Sequence, residues 1–365
     1  MKVMRIAPDV YPIVIGGYPI HVHEMAKHQQ NNGIENTVVA VGEESIIETK
    51  DLNYNINLFK PNLEIWGNRI SLGQLKYIWK NRKKFDILHA HSHLFLSTNF
   101  VAICSIFGSA PIIITNHGLF SQTAPMWFQH FFLKTIGKLT YKRADKIICY
   151  TEVEKKELCN YLDLDKKKVY VIHNGIDLYD FIPKKDKNPG KKIKGLWIGR
   201  YSLGKGLDYL IKAISQIKEK ERIKITLVGW GPRKKEYIQK IKSLKLKKNF
   251  RIKKPVHYED IPKLYQEHNL FILPSDQEGF PRTIMEAYAC GLVVLSSDLP
   301  QIEKEFGNNL VYFRRGDIKD LKKKLTGIII NYNEYLKGTN KRLLKKFSWE
   351  ETVGKTIGVY EKTND

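Results

Sequence analysis

Cysteine is scarce. The 365 residues hold four, at positions 104, 149, 159 and 290. They are scattered, with no CxxC pair and no His/Cys pair at zinc spacing, so neither a disulfide scaffold nor a structural zinc site is expected. Long apolar runs are missing too. The longest candidate, Phe100 to Ile114, is interrupted by Gly108, Ser109 and Pro111, which excludes a membrane-spanning helix there. The N-terminal MKVMRIAPDV lacks an apolar h-region and a small-residue cleavage site, and reads as a mature cytoplasmic start, of a soluble or peripheral protein. Acid is in short supply: 38 Asp and Glu face 61 Lys and Arg, a formal net charge of +23. Residues 1–175 carry 21 basic and 15 acidic side chains, residues 176–365 carry 40 and 23. Anionic partners suit such a chain, whether nucleic acid, acidic lipid or a phosphorylated small molecule.

What is present is a globular core: 42% apolar and 11% aromatic residues exclude wholesale disorder. The length exceeds what one core usually holds, so two domains are expected. Short β-like runs alternate with helical patterns, the mark of a parallel α/β architecture. In the first half the strand candidates are Val3–Ala7, Thr37–Val41, Ile87–His89, Ile112–Thr115, Lys146–Tyr150 and Val169–Ile172. A lysine-rich stretch from Leu178 to Lys194, broken by Pro183 and Pro189, reads as a linker. A second series follows: Gly195–Ile198, Ile223–Val228, Phe250–Ile252, Leu270–Leu273, Val293–Ser296 and Leu310–Phe313. Two Rossmann-like, doubly wound domains, 1–178 and 179–345, are expected to face each other across a ligand cleft.

The motif richest in chemistry is Pro274-Ser275-Asp276-Gln277-Glu278-Gly279-Phe280-Pro281, set between a strand and a helix starting near Arg282. The free N–H groups of a helix start favour anions, so a diphosphate suits that end. Glu278 in the loop can accept from sugar hydroxyls, and Glu286 inside the helix from a second hydroxylated ring such as ribose. The bland reading of both is a surface carboxylate. A second loop, Gly199 to Gly206, breaks the Walker order, yet offers Arg200 and Lys205 as a cationic clamp on a leaving diphosphate. Gly229-Trp230-Gly231-Pro232 is a further tight strand-to-helix turn. In the first half, His89, His91 and His93 share one side if the segment is extended. No carboxylate or Cys nearby completes a zinc site. His117, in Thr115-Asn116-His117-Gly118, follows an apolar strand and should emerge at its C-terminal edge.

Taken in order, Gly16-Gly17, His21-Val22, His91, Thr115–Gly118, Asn174–Asp177, Arg200 and Lys205, Gly229–Pro232, Pro274–Pro281, Glu286 and Phe347–Trp349 resemble the retaining GT-B glycosyltransferases of family 4. The resemblance runs over essentially the whole chain. It implies that Gly16 and Gly17 form a loop approaching the donor diphosphate, and that His117 lies by the anomeric carbon with His91 on the acceptor side. It implies that Arg200 and Lys205 neutralise the departing diphosphate beside the Gly229 turn. Glu278 and the backbone of Gly279, Phe280 and Pro281 would hold the donor sugar, Glu286 the ribose, and Arg282 or Thr283 add phosphate contacts. A C-terminal helix, 346–365, would cross back to the first domain. No metal and no cofactor are implied, cations and a helix dipole standing in their place. Two departures are local: Cys290-Gly291-Leu292-Val293 lacks the usual proline, and Ser296–Pro300 lacks the usual Gly pair.

The implied partners are a UDP- or GDP-sugar donor and a sugar or lipid-linked acceptor. Residues 60–84 interleave Lys60, Arg69, Lys76, Lys80, Arg82, Lys83 and Lys84 with Leu72, Leu75, Tyr77, Ile78 and Trp79. Such a basic amphipathic stretch suits an anionic membrane surface. Residues 126–143, with Trp127, Phe131 and Phe132 before Lys134, Lys138, Lys142 and Arg143, suit a second contact. The bland reading packs those apolar stripes on the domain core. Other readings are a GT-B epimerase or phosphorylase, the latter lacking an evident pyridoxal lysine, and a basic nucleic-acid-binding protein. Against the last, no RNP-like, KH-like or helix-turn-helix pattern occurs, so no nucleic-acid partner is expected.

Overall fold

A computed structural model describes residues 1–43, 52–120, 124–183, 189–190, 192–336 and 338–364. The expected linker therefore falls partly outside the described residues, at 184–188 and 191. The chain divides into two compact units, Met1–Gly175 with Trp349–Asp365, and Ile176–Ser348.

The first unit is built on a parallel sheet of β1 (Lys2–Ile6), β2 (Glu35–Val41), β3 (Asn55–Phe59), β4 (Ile87–His91), β5 (Ile112–Thr115), β6 (Lys146–Cys149) and β7 (Val169–Val171). Their order is β3-β2-β1-β4-β5-β6-β7, the doubly wound arrangement whose reversal beside β1 opens a crevice at the strand C-termini. Both faces are covered, which is why the central strands β1, β4 and β5 are buried along nearly their whole length rather than alternating. On one face Met4, Leu88, Ala90, Ile112, Ile114 and Ile147 form a core. On the other, Val3, Ile87, Ile113 and Ile148 pack with Val359 and Tyr360. Those two residues belong to the terminal helix Trp349–Asn364, which is part of this unit.

Helix α1 (Gly17–Asn31) follows β1 directly, with Gly16 as an N-cap that supplies no side-chain hydrogen bond. Helix α2 (Glu152–Leu162) starts conventionally: Thr151 accepts from the Glu154 N–H and two acids occupy the first turn.

Two local features differ from the sequence expectation. Strand β3 was not anticipated, because its Asn-Ile-Asn-Leu-Phe pattern is half-buried edge sequence. Residues 60–84 are not one amphipathic stretch. They make an antiparallel hairpin, Leu63–Ile65 with Asn68–Ile70, then a helix, Leu72–Asn81. The hairpin turns on Trp66 and Gly67, both at positive φ, the backbone of a two-residue hairpin without the usual Asn-Gly signature. The helix buries Gln74 and Ile78, with Gln74 donating to the carbonyls of Ala7 and Val39 at 2.9 Å each.

The second unit repeats the design. Its parallel strands β8 (Ile193–Ile198), β9 (Ile223–Val228), β10 (Phe250–Lys253), β11 (Leu270–Leu273), β12 (Val293–Ser297) and β13 (Val311–Phe313) run β10-β9-β8-β11-β12-β13. Trp197, Ile225, Leu227, Leu270, Ile272 and Leu295 form its core with Leu210, Ile214, Leu321 and Leu325 from covering helices. Each fully buried Leu or Ile contributes roughly 1.5–3 kcal/mol. Both units are thus Rossmann-like, with loops gathered at the strand C-termini.

Candidate functional site

In the second unit, three of those loops converge. The turn after β9 needs its glycines: Gly229 and Gly231 lie at φ 148 and 150, and a Cβ on Gly229 would sit 1.9 Å from the Gly199 carbonyl oxygen. The two loops touch backbone to backbone, with Tyr201 N–H donating to Trp230 O at 2.8 Å. Arg200 stacks over the Trp230 ring at 4.8 Å. Its buried Nε has no hydrogen-bond partner among the described residues, a donor suited to an anion.

Lys205 and Glu278, 73 residues apart, meet across two of these loops. Lys205 Nζ donates to both carboxylate oxygens at 2.7 and 2.8 Å, and Ser275 Oγ donates to Oε1 at 2.7 Å. The two side chains are 16% and 11% exposed, so the pair is partly shielded without being sealed. Beyond Glu278, Gly279 is open while the Phe280 ring is buried against Phe306 and Phe347. Phe280 offers backbone, not ring, to a ligand. Pro281 is the N-cap of helix α3 (Arg282–Ala289) and makes no side-chain cap bond. Having no N–H of its own, it leaves Gly279 and Phe280 as the backbone donors of this turn.

Arg282 and Glu286 stand in a less open place. They are 5% and 3% exposed, paired at 3.5 Å, with Tyr265 Oη donating to Glu286 at 3.0 Å and Arg282 donating to Tyr258. Burial raises the Glu286 carboxyl above its usual range against the pull of Arg282. A ribose or phosphate would share these contacts rather than meet bare charges. Thr283 carries its carbonyl against Tyr265 Oη at 3.2 Å.

In the first unit, the crest of the sheet carries histidines. His89 and His91 end β4, their rings stacked at 4.8 Å. His93 does not join them, contrary to the extended reading: Ser92 takes φ 57, which turns the chain and sends His93 to the Tyr141 hydroxyl at 3.0 Å. His117, just past β5, lies 3.0 Å from His91 and 3.0 Å from Tyr150 Oη. His21 of α1 bonds Asn174 at 2.9 Å with its ring 5.3 Å from that of His117. At the start of α1, Gly17 has open space around it, while Gly16 packs against the Pro19 ring, which a Cβ would meet at 3.4 Å.

His21, His91 and His117 bring one ring nitrogen each within 4.8 Å of one another, the composition of a zinc site. The chemistry argues the other way. The Arg5 guanidinium, a permanent cation, stands 3.1 Å from His91, and a dication there would meet like charge with little water to screen it. A DxD spacing occurs at Asp163 and Asp165, where Asp163 is the left-handed residue that ends α2, its N–H donating to Cys159 O, and the Asp165 carboxylate accepts from Lys167 N–H.

Arg5, Glu154 and Tyr150 carry no role in the sequence reading, and Asn174 enters it only as part of the Asn174–Asp177 motif. Glu154 holds the crest in place, accepting from Asn116 and from the Tyr150 N–H at 2.6 Å each. Burial pushes its carboxyl up to about 7 against those bonds. Arg5 carried a readable signal, being a charge within an otherwise apolar strand. The others become visible only once the strands are placed side by side.

The chain is similar to known proteins in sequence and in fold. Residues 15–179 match the family described as Glycosyltransferase Family 4, and residues 179–342 match Glycosyl transferases group 1. An uncharacterised glycosyltransferase of Methanocaldococcus jannaschii is 24% identical, over 99% of this chain and 98% of that protein. A GDP-mannose:cellobiosyl-diphosphopolyprenol alpha-mannosyltransferase of Xanthomonas oryzae is 22% identical, over 75% and 73%. The Anabaena HepE structure in complex with UDP and glucose superposes with a TM-score of 0.81 at 17% identity, over 99% of this chain and all of that one.

Proposed function

The chain belongs to the group 1, family 4 glycosyltransferases of the GT-B fold, and from that premise we propose that it moves a sugar from a nucleotide-diphospho-sugar to an acceptor hydroxyl, retaining the anomeric configuration without a divalent metal. The observation that carries this reading is the Lys205–Glu278 pair with Arg200 nearby on the same strand-to-helix loop. It offers fixed cations for a diphosphate and a carboxylate for sugar hydroxyls within one loop cluster. A preorganised cation is effective because developing negative charge on the leaving group is stabilised without reorganising solvent. The departing diphosphate then takes the proton of the acceptor hydroxyl attacking from the same face, and no side chain acts as covalent nucleophile. Gly229, Gly279, Phe280, Arg282, Thr283 and Glu286 shape the donor side; Gly16, Gly17, His91 and His117 line the face read as facing the sugar and its acceptor.

A UDP or GDP nucleotide is supported by the HepE complex and by the mannosyltransferase's name. A thermal-shift titration with UDP, GDP and ADP tests the donor claim. A rise in melting temperature with UDP or GDP, unchanged by chelator, is expected. No shift with any nucleotide, or one abolished by chelator, would remove it.

A lipid-linked acceptor is the reading that the first unit's surface supports, with a glycan acceptor as the second. No helix among the described residues is long and apolar enough to cross a membrane, and the proposed contact is a peripheral one at a cytoplasmic membrane face. The helical run from Met126 to Arg143 leaves Met126, Trp127, Phe131, Ile136 and Leu139 46–73% exposed, among Lys134, Lys138, Lys142 and Arg143. The hairpin tip joins it, Trp66 lying 4.8 Å from Phe128, while Arg69 ties the hairpin back to Asp9 at 3.6 Å. Apolar side chains ringed by lysine fit an anionic bilayer interface. Co-sedimentation with phosphatidylglycerol vesicles at low salt should be strong and should fall in a Trp127→Glu/Phe131→Glu variant. Equal recovery of both proteins would end the membrane reading.

A further inference from the structure

The buried polar row behind His117 has only one self-consistent set of proton positions. A guanidinium donates and never accepts. Arg5 Nη1 lies 3.1 Å from His91 Nε2, so that nitrogen carries the lone pair and the His91 proton is on Nδ1. His91 Nδ1 faces His117 Nε2 at 3.0 Å. His117 therefore accepts at Nε2 and holds its own proton on Nδ1, 3.0 Å from Tyr150 Oη. The neighbouring branch agrees. His89 Nδ1 is 3.4 Å from Arg5 Nη1 and 2.5 Å from Tyr360 Oη, which leaves the His89 proton on Nε2, donating to Thr115 Oγ1 at 2.7 Å. Arg5 itself is fully buried and oriented from its other side by Gln29 Oε1 at 2.6 Å and Tyr360 Oη at 3.2 Å.

We infer that Arg5 is a positioning residue that sets the tautomers of His91 and His117, holding His117 as a neutral imidazole whose Nε2 lone pair is occupied and whose proton points at Tyr150. The inference deepens the sugar-transfer reading, on which the relevance of His117 rests. It removes His117 as the base for the acceptor proton, a task then left to the leaving diphosphate. What the row supplies is a hydrogen-bonded wall of fixed polarity, each bond strengthened by the cation at its head.

The electrostatics agree with neutral rings. Burial, first, and then neighbouring cationic and imidazole groups lower the affinity of His89, His91 and His117 for a second proton well below the ordinary range. The groups facing the row are Arg5 from β1, Tyr18 and His21 from α1, His89 from β4, Thr115 from β5, Tyr150 after β6, and Tyr360 from the terminal helix. No carboxylate is among them. Because these folded-state values are depressed, the stability contributed by the neutral row is complete above pH about 6.5 and declines as pH falls below it.

Nitrogen-15 NMR of the full chain labelled at histidine reads the proton positions directly, without substrate. The expected spectrum has His91 and His117 protonated on Nδ1, His89 on Nε2, and all three unchanged from pH 8 to 5.5. Arg5→Met should convert His91 and His117 to mixed tautomers, and Arg5→Lys should restore a single form. Should Arg5→Met not fold, Tyr150→Phe leaves Arg5 in place: His91 still donates to His117 Nε2, so both rings are expected to keep their Nδ1 protons, and a mixed His117 in that variant would assign the tautomer to Tyr150 and overturn the inference. An Nε2 proton on wild-type His117, a histidine titrating near 6.5 in this row, or unchanged tautomers in Arg5→Met would overturn the inference. Loss of sugar transfer as the activity would leave this spectrum as it stands, so the two failures are told apart.

Discussion

Lys205→Ala is expected to lower turnover by about a hundredfold or more, and Glu278→Gln by a similar factor, since one transition-state charge contact is commonly worth about 2.7–4 kcal/mol. The geometry makes the two losses interdependent. With Lys205 gone, Glu278 keeps the Ser275 hydroxyl at 2.7 Å but is a largely buried carboxylate without its cation, and it repels the diphosphate it used to accompany. With Glu278 changed to Gln, Lys205 retains its charge and loses its orientation. Contacting residues of this kind do not behave additively, so the double variant should be far less impaired than the product of the singles. Lys205→Ala should weaken nucleoside diphosphate binding less than it lowers kcat, because the charge on the leaving group grows as the bond breaks. Both single variants turning over at nearly the wild-type rate would strip the pair of its role.

The readable part of this protein is its frame. Ile112–Thr115, Ile223–Val228 and Leu270–Leu273 are strands at the bounds the sequence predicts, because strands covered on both faces are short, mostly apolar runs. Where one face is open, the pattern fades: the alternating asparagines of β3 and the Trp66-Gly67 turn are what edge sequence looks like. The site divides the same way. Strand-to-loop positions made Arg200, Lys205, Glu278 and His117 visible as residues at C-terminal edges, where open α/β sheets bind ligands. Which of them pair was not visible, since Lys205 and Glu278 come together only through the order β8-β11 in the sheet. The three-histidine expectation failed at one residue: a left-handed Ser92 carries no signature that periodicity can detect. Arg5 was legible as a charge in an apolar strand, but its partners required the register of β1 against β4, which sets it opposite His89.

Gly206→Ala is expected to cost the second unit several kcal/mol and to disable the site without touching a charged residue. Gly206 precedes the helix Leu207–Ser215 at φ 65, in the left-handed region that costs an L-residue roughly 1–2 kcal/mol. More is at stake than the dihedral. A Cβ there would lie 1.6 Å from the carbonyl oxygen of Pro274 and 2.4 Å from its carbon. Neither is a flexible side-chain end, so the backbone of one loop must retreat. Those two loops carry Lys205, one residue before Gly206, and Glu278, four after Pro274. Separating them would break the 2.7 Å contact and the donor cradle together. Gly204→Ala is the matched control: it lies at φ 78 with nothing within 4 Å of the added methyl, so it should lose only the dihedral cost and keep most activity. Urea titration of the two variants, followed by nucleotide titration, separates strain from collision. If Gly206→Ala were no less stable than Gly204→Ala and bound nucleotide equally well, close contact of the two loops would not be what holds Lys205 against Glu278.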